Sequence, residues 1–147
     1  MTDPYDLRRF VKAQETSFDA ARDELRRGRK TSHWIWYIFP QIEGLGHSEL
    51  SKRFAIKTRK EVLGYLDHPL LGPRLADCTD IVNALEARTA AEIFGSPDDM
   101  KFRSSMTLFH NVSSESGIFK TALVKYFHGE PDPRTLERMR ANPAAWA

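Results

Sequence analysis

Cysteine is almost missing from this 147-residue chain, which holds only Cys78. A disulfide within the chain is excluded, and a lone thiol fits a reducing compartment, so a cytoplasmic location is expected. Long apolar runs are missing too. The longest near the centre, Trp34 to Pro40, is far too short for a bilayer. The start MTDPYDLRRF has acids and no apolar core segment, so neither a membrane span nor a signal peptide is expected. No Asn-Gly or Asp-Gly turn and no sustained period-two alternation occurs, which removes the usual marks of strands and hairpins. His33, His47, His68, His110 and His128 show no metal-ligand spacing, and no C-x-x-C is present. Walker, Rossmann and G-x-S-x-G patterns are also lacking. No metal and no cofactor is therefore expected.

A strong excess of one charge is lacking as well: 22 Lys and Arg face 20 Asp and Glu, a net of +2. The balance is uneven along the chain. Residues 1–60 hold 13 bases and 8 acids, residues 61–100 hold 2 and 8, and residues 101–147 hold 7 and 4. Arg26-Arg27-Gly28-Arg29-Lys30 and Lys57-Thr58-Arg59-Lys60 are the densest basic spots. The macrodipole favours bases at a helix C-terminus, which accounts for the first run. A nucleic-acid domain is usually more basic than a pI near 8.8, so nucleic acid is not the expected partner.

What is present is the material of a helical core. Hydrophobic residues make up 41% and charged residues 29%, ordinary values for a globular domain of this length. The helix signals are dense. Leu7, Phe10, Val11 and Gln14 fit a short helix, and Phe18, Ala21 and Leu25 fit a second, closed at Gly28. Thr58–Glu61 and Thr89–Glu92 are capping-box patterns. Leu71, Leu75, Cys78, Val82 and Leu85 recur at helical spacing. Ser96-Pro97-Asp98-Asp99 reads as an N-cap, a proline at the first helical position and two first-turn acids. Ile118 to Phe127 and a short helix after Asp132-Pro133 complete the series, with a loop over 112–119. The expectation is an all-α, single compact domain over residues 1–147, with about seven to nine helices and no significant sheet. The ends, about 1–4 and 141–147, are expected to fray, or in the case of the tail with Trp146 to meet a partner.

Thr31 to Ser48 stands apart. Trp34, Trp36, Tyr37 and Phe39 fall within six residues, Pro40 ends the run, and Gly44 and Gly46 follow. A helix apolar all round belongs in the centre of a fold, so Trp34 to Phe39 is expected to be the most buried segment. A glycine-rich turn leading into a helix started by Ser48 exposes N–H donors, which suit an anion. Leu50, Phe54 and Ile56 are expected on that next helix. The second polar cluster is Lys101 to Thr107. Lys101, Ser104 and Ser105 lie on neighbouring helical rows, while Phe102, Met106 and Phe109 form a separate apolar face.

These residues resemble a known family. His33 to Ser48, His68 to Leu75, Lys101 to Phe109 and Phe119-Lys120 look like the signature of the proteins catalogued as domain of unknown function 1810. The likeness runs from about Leu7 to Leu136. It implies an all-α domain of bacterial type, a fold first described for a mycobacterial protein. It implies no activity. Some members carry the label calpastatin, but calpastatin is a long disordered repeat protein, whereas this chain is aromatic-rich and suited to a compact core. A looser, architecture-level similarity is to all-α glycosidase-like families that process ADP-ribosyl or related ribosyl-phosphate compounds.

Two functional expectations follow. The first is binding, or processing, of an anionic small molecule such as a nucleotide or ribosyl phosphate. Trp34 or Trp36 would stack on it, and Gln41, Gly44, Gly46, Ser48, Lys101, Ser104 and Ser105 would hold it. His33 and Glu43 would be the acid–base candidates if there were catalysis. The alternative is a non-enzymatic protein-interaction module whose partner the sequence does not name. Convergence of the polar residues on one cavity favours the first expectation, and scattering over the surface favours the second.

Overall fold

The computed structural model describes residues 2–113 and 117–147. Among the described residues there are eleven helices: α1 (Arg8–Gln14), α2 (Phe18–Arg26), α3 (Ile35–Ile38), α4 (Glu49–Arg53), α5 (Arg59–Asp67), α6 (Leu71–Ala84), α7 (Ala90–Phe94), α8 (Asp98–Val112), α9 (Gly117–Phe127), α10 (Pro133–Ala141) and α11 (Pro143–Trp146). The architecture is all-α, but the expected seven to nine helices were too few. The sequence marks segments for α1 to α10; the element it does not mark is α11, which spans only four residues of the tail. One helical turn holds too few positions for periodicity to register.

The local signals hold where the cap hydrogen bonds are made. Thr58 and Thr89 accept the N–H of Glu61 and Glu92, and Thr89 completes a reciprocal capping box. Asp132 accepts from the N–H of Thr135 at the start of α10. Three local expectations differ. α8 begins at Asp98, with Pro97 rather than Ser96 at its cap position. The loop expected over 112–119 shrinks, because α8 runs through Val112 and α9 starts at Gly117; residues 114–116 lie outside the described residues. The helix after Ser48 stops at Arg53, and Ile56 instead forms an isolated parallel bridge with Ile42. No sheet is present among the described residues.

α8 is the central element and packs against α3, α5, α7, α9 and α10. Its apolar face buries Phe102, Met106 and Phe109 completely. Phe102 stacks on Phe94 at 4.4 Å between centroids and meets Phe39 edge-on at 4.9 Å. Trp34, Ile35, Ile38 and Phe39 join this core, but Trp36 and Tyr37 are only half buried. The aromatic segment is therefore amphipathic in place rather than buried all round. The tail that was expected to fray instead carries α11, and Trp146 packs on the core with 8% of its surface exposed. At the other end, Asp3 accepts the N–H groups of Leu7 and Arg8. Those two bonds hold its carboxyl below the usual range, led by the one from Arg8.

The loop between α2 and α3 is fixed by one carboxylate. Glu24, 6% exposed, accepts from the N–H of Thr31 (2.7 Å) and Ser32 (2.8 Å), the Ser32 hydroxyl (2.7 Å) and the Trp34 indole N–H (3.0 Å). Burial alone would raise its pKa. The four donors outweigh burial and bring it from 4.5 to about 2. Trp34 is thereby locked into the interior.

Candidate functional site

Pro40 stops α3, and the chain turns through Gln41 to Ser48 before α4 begins. The bridge pins the entrance to this turn: Ile56 donates to the Gln41 carbonyl and Glu43 donates to the Ile56 carbonyl, both at 2.9 Å. Helix α10 pins its crest. Arg134 donates to the Leu45 carbonyl at 2.9 Å, and Arg138 donates to the Glu43 carbonyl at 3.2 Å. Gly44 has φ +96°, and a Cβ there would lie 2.4 Å from the Arg138 guanidinium. Both the dihedral and the space require glycine. At Gly46 a Cβ would meet the Ser51 side chain at 2.7 Å. Ser48 accepts the Ser51 N–H and so starts α4.

This turn, the first turns of α8 and the start of α10 enclose one cleft of about 510 Å³. Its apolar lining includes Trp36, Leu45, Phe54 and Met100, and its polar lining includes Gln41, His47, Ser48, Ser51, Lys101 and Ser104. Asp132 and Arg134 complete it from α10. The two clusters singled out in the sequence therefore meet.

Lys101 is not a bare cation. Its ammonium lies 3.3 Å from Asp98 and 4.9 Å from the Trp36 ring centroid. Asp98 also takes Lys30 at 2.7 Å. One carboxylate thus serves two ammonium groups, and Lys101 keeps donors beyond the one aimed at Asp98. Ser104 is turned to Asp132, with its hydroxyl 2.8 Å from Oδ2 and 3.0 Å from the Met100 carbonyl. Its single proton serves one of the two.

Not every expected residue arrives at the cleft. Trp36, Gln41, Gly44, Gly46, Ser48, Lys101 and Ser104 line it. Trp34 does not: it is 1% exposed and donates to Glu24. Ser105 is fully buried on the inner side of α8, and its hydroxyl has no hydrogen-bond partner among the described residues. His33 and Glu43 are exposed and outside the lining. Asp132 and Arg134 were missed. In the sequence the Asp132-Pro133 pair marks only a helix start, and nothing local ties it to Ser104, 28 residues away. His47 lies within the His33–Ser48 segment and also lines the cleft. Among the described residues no cluster of three His, Cys, Asp or Glu side chains could hold a metal ion, and no helix is long and apolar enough to cross a membrane.

The family described as "Protein of unknown function (DUF1810)" matches residues 4–139. The chain belongs to this family. Its fold is similar to that of the conserved hypothetical protein Rv1873 from Mycobacterium tuberculosis, a crystal structure. The TM-score is 0.91 with 48% identity, over 92% of this chain and 97% of that one. No curated protein matches the chain. The family thus carries an architecture without a named reaction, and any functional reading rests on the cleft.

Proposed function

We propose that the cleft binds a small anionic molecule of the nucleotide or ribosyl-phosphate class. The observation that carries this reading is the meeting of the Gly44–Ser48 turn with the Lys101 end of α8 in one concave surface. Arg134 and Lys101 add positive charge there, and Trp36, Leu45, Phe54 and Met100 offer an apolar wall for a flat group. A mixed lining of this kind fits a ligand with one apolar face and one charged end. No reaction is assigned, since both acid–base candidates lie outside the lining. The interaction-module reading loses its C-terminal anchor, because Trp146 is committed to the core.

The test is a thermal-shift series with inorganic phosphate and adenosine monophosphate. At a hundredfold excess over Kd, linkage gives about 2.7 kcal/mol of stabilisation, a rise of about 5–10 °C. Lys101→Met should reduce that rise. It should cost the free protein less than about 1 kcal/mol, since a surface ion pair contributes little. Absence of any rise with either compound would refute the reading.

A further inference from the structure

Two lysines share one carboxylate beside the cleft, and only one of them lines it. Asp98, in the first turn of α8, takes the Lys30 ammonium on Oδ2 at 2.7 Å and the Lys101 ammonium on Oδ1 at 3.3 Å. Lys101 lines the cleft with 29% of its side chain exposed. Lys30 stands outside the lining, and its side chain is 5% exposed. Its place is fixed from three further directions. Its N–H donates to the Ile93 carbonyl at 2.6 Å, its ammonium donates to the Ser32 carbonyl at 2.5 Å, and that ammonium lies 5.1 Å from the Trp34 ring centroid. A lysine buried this far needs a charged partner, and Asp98 is that partner. Without Lys30, the whole charge of Asp98 would be directed at Lys101. With it, two positive charges and one negative charge leave the cleft end of the group positive.

We infer that Lys30 is a positioning residue for the cleft: it engages Asp98 from behind and so leaves the Lys101 ammonium available to a bound anion. The inference rests on the anion-binding reading above. Lys30 touches no ligand and acts through Asp98. The charges stand in direct contact in a partly buried setting, where Coulomb interactions are strong enough to change affinity several-fold. A tether that merely joined the loop between α2 and α3 to α8 would behave differently. Loss of either partner would loosen the same contact, and both losses would move binding in the same direction.

The experiment is calorimetric titration of the full chain with adenosine monophosphate at low ionic strength, where screening is weakest. Lys30→Met keeps the apolar stem and removes the charge, and Asp98→Asn keeps the shape and removes the charge. Lys30→Met should weaken binding by about threefold or more, and Asp98→Asn should tighten it by about threefold or more. The double variant should return to within about twofold of the unmodified protein, because the two removed charges cancel. Arg29→Met removes an exposed charge one residue away and should leave the affinity nearly unchanged. The inference is overturned if Lys30→Met leaves the affinity unchanged, if Asp98→Asn fails to tighten binding, or if Arg29→Met weakens binding as much as Lys30→Met. A gain in Asp98→Asn cannot come from misfolding, so that arm stands even if Lys30→Met folds poorly. Binding that ignores both residues defeats this inference alone, whereas absence of binding by the unmodified protein defeats the anion-site reading as well.

Discussion

Replacing Glu24 by glutamine removes one negative charge and leaves the shape of the side chain intact. The carboxylate holds four donors, three of them from the loop between α2 and α3 and the fourth from Trp34. Its pKa falls from 4.5 to about 2 although burial opposes the fall. At about 1.4 kcal/mol for each tenfold change in proton affinity, that fall corresponds to about 3 kcal/mol of folding stability in the ionised form. Glutamine cannot ionise and resembles the protonated acid, so Glu24→Gln should lose about 3 kcal/mol at pH 7. The sign with pH follows from the depressed value. The contribution is fully present above about pH 4.5 and is lost as the pH falls towards 2. Urea denaturation followed by tryptophan fluorescence, repeated from pH 7 to pH 3, reads both quantities. The gap between the two proteins should be constant down to about pH 5 and narrow below it. A loss under about 1 kcal/mol at pH 7, or a gap that stays flat to pH 3, would refute the account of Glu24 as the anchor of this loop.

Two other outcomes are expected. Gly44→Ala should cost about 1–3 kcal/mol, because φ +96° strains any side chain and the new methyl displaces Arg138. Arg138→Ala in that background should recover only the steric part, so a full recovery in thermal melts would show that the dihedral carries no strain. Cys78 is fully buried, and burial pushes its thiol up to about 12. A thiol reagent at pH 8 should therefore label it only at the rate of unfolding, and fast labelling of the native protein would contradict its place in the core.

How much of this was legible beforehand depended on distance along the chain. Thr58, Thr89 and Asp132 reach only three residues ahead for their cap donors, so a short pattern contains the whole interaction. The Trp34–Trp36 pair shows the opposite. Both tryptophans look equally suited to a ligand in the sequence, yet Trp34 sits just outside α3 at its N-cap with non-helical backbone while Trp36 lies within the helix, and one enters the core while the other faces the cleft. Which does which is decided by Glu24, ten residues upstream. The turn and the start of α8 could be picked out as anion-suited because glycine and lysine announce themselves locally. The contribution of α10 could not, since its arginines act on carbonyls 89 and 95 residues away and its aspartate acts on Ser104. Surface arginines on a short amphipathic helix read as solvated charge until the backbone they hold is seen.

The two arginine contacts also set an order of events. The crest of the Gly44 turn carries carbonyls that meet Arg134 and Arg138 in place of helix or sheet partners. A nascent chain that has been made only as far as α9 contains the turn, Lys101 and Trp36, but neither the two guanidinium groups nor Asp132. Such a chain has its aromatic core within reach and its cleft unfinished. The cleft is thus a product of late synthesis. A population halted before α10 would acquire packed helices ahead of a completed cleft wall.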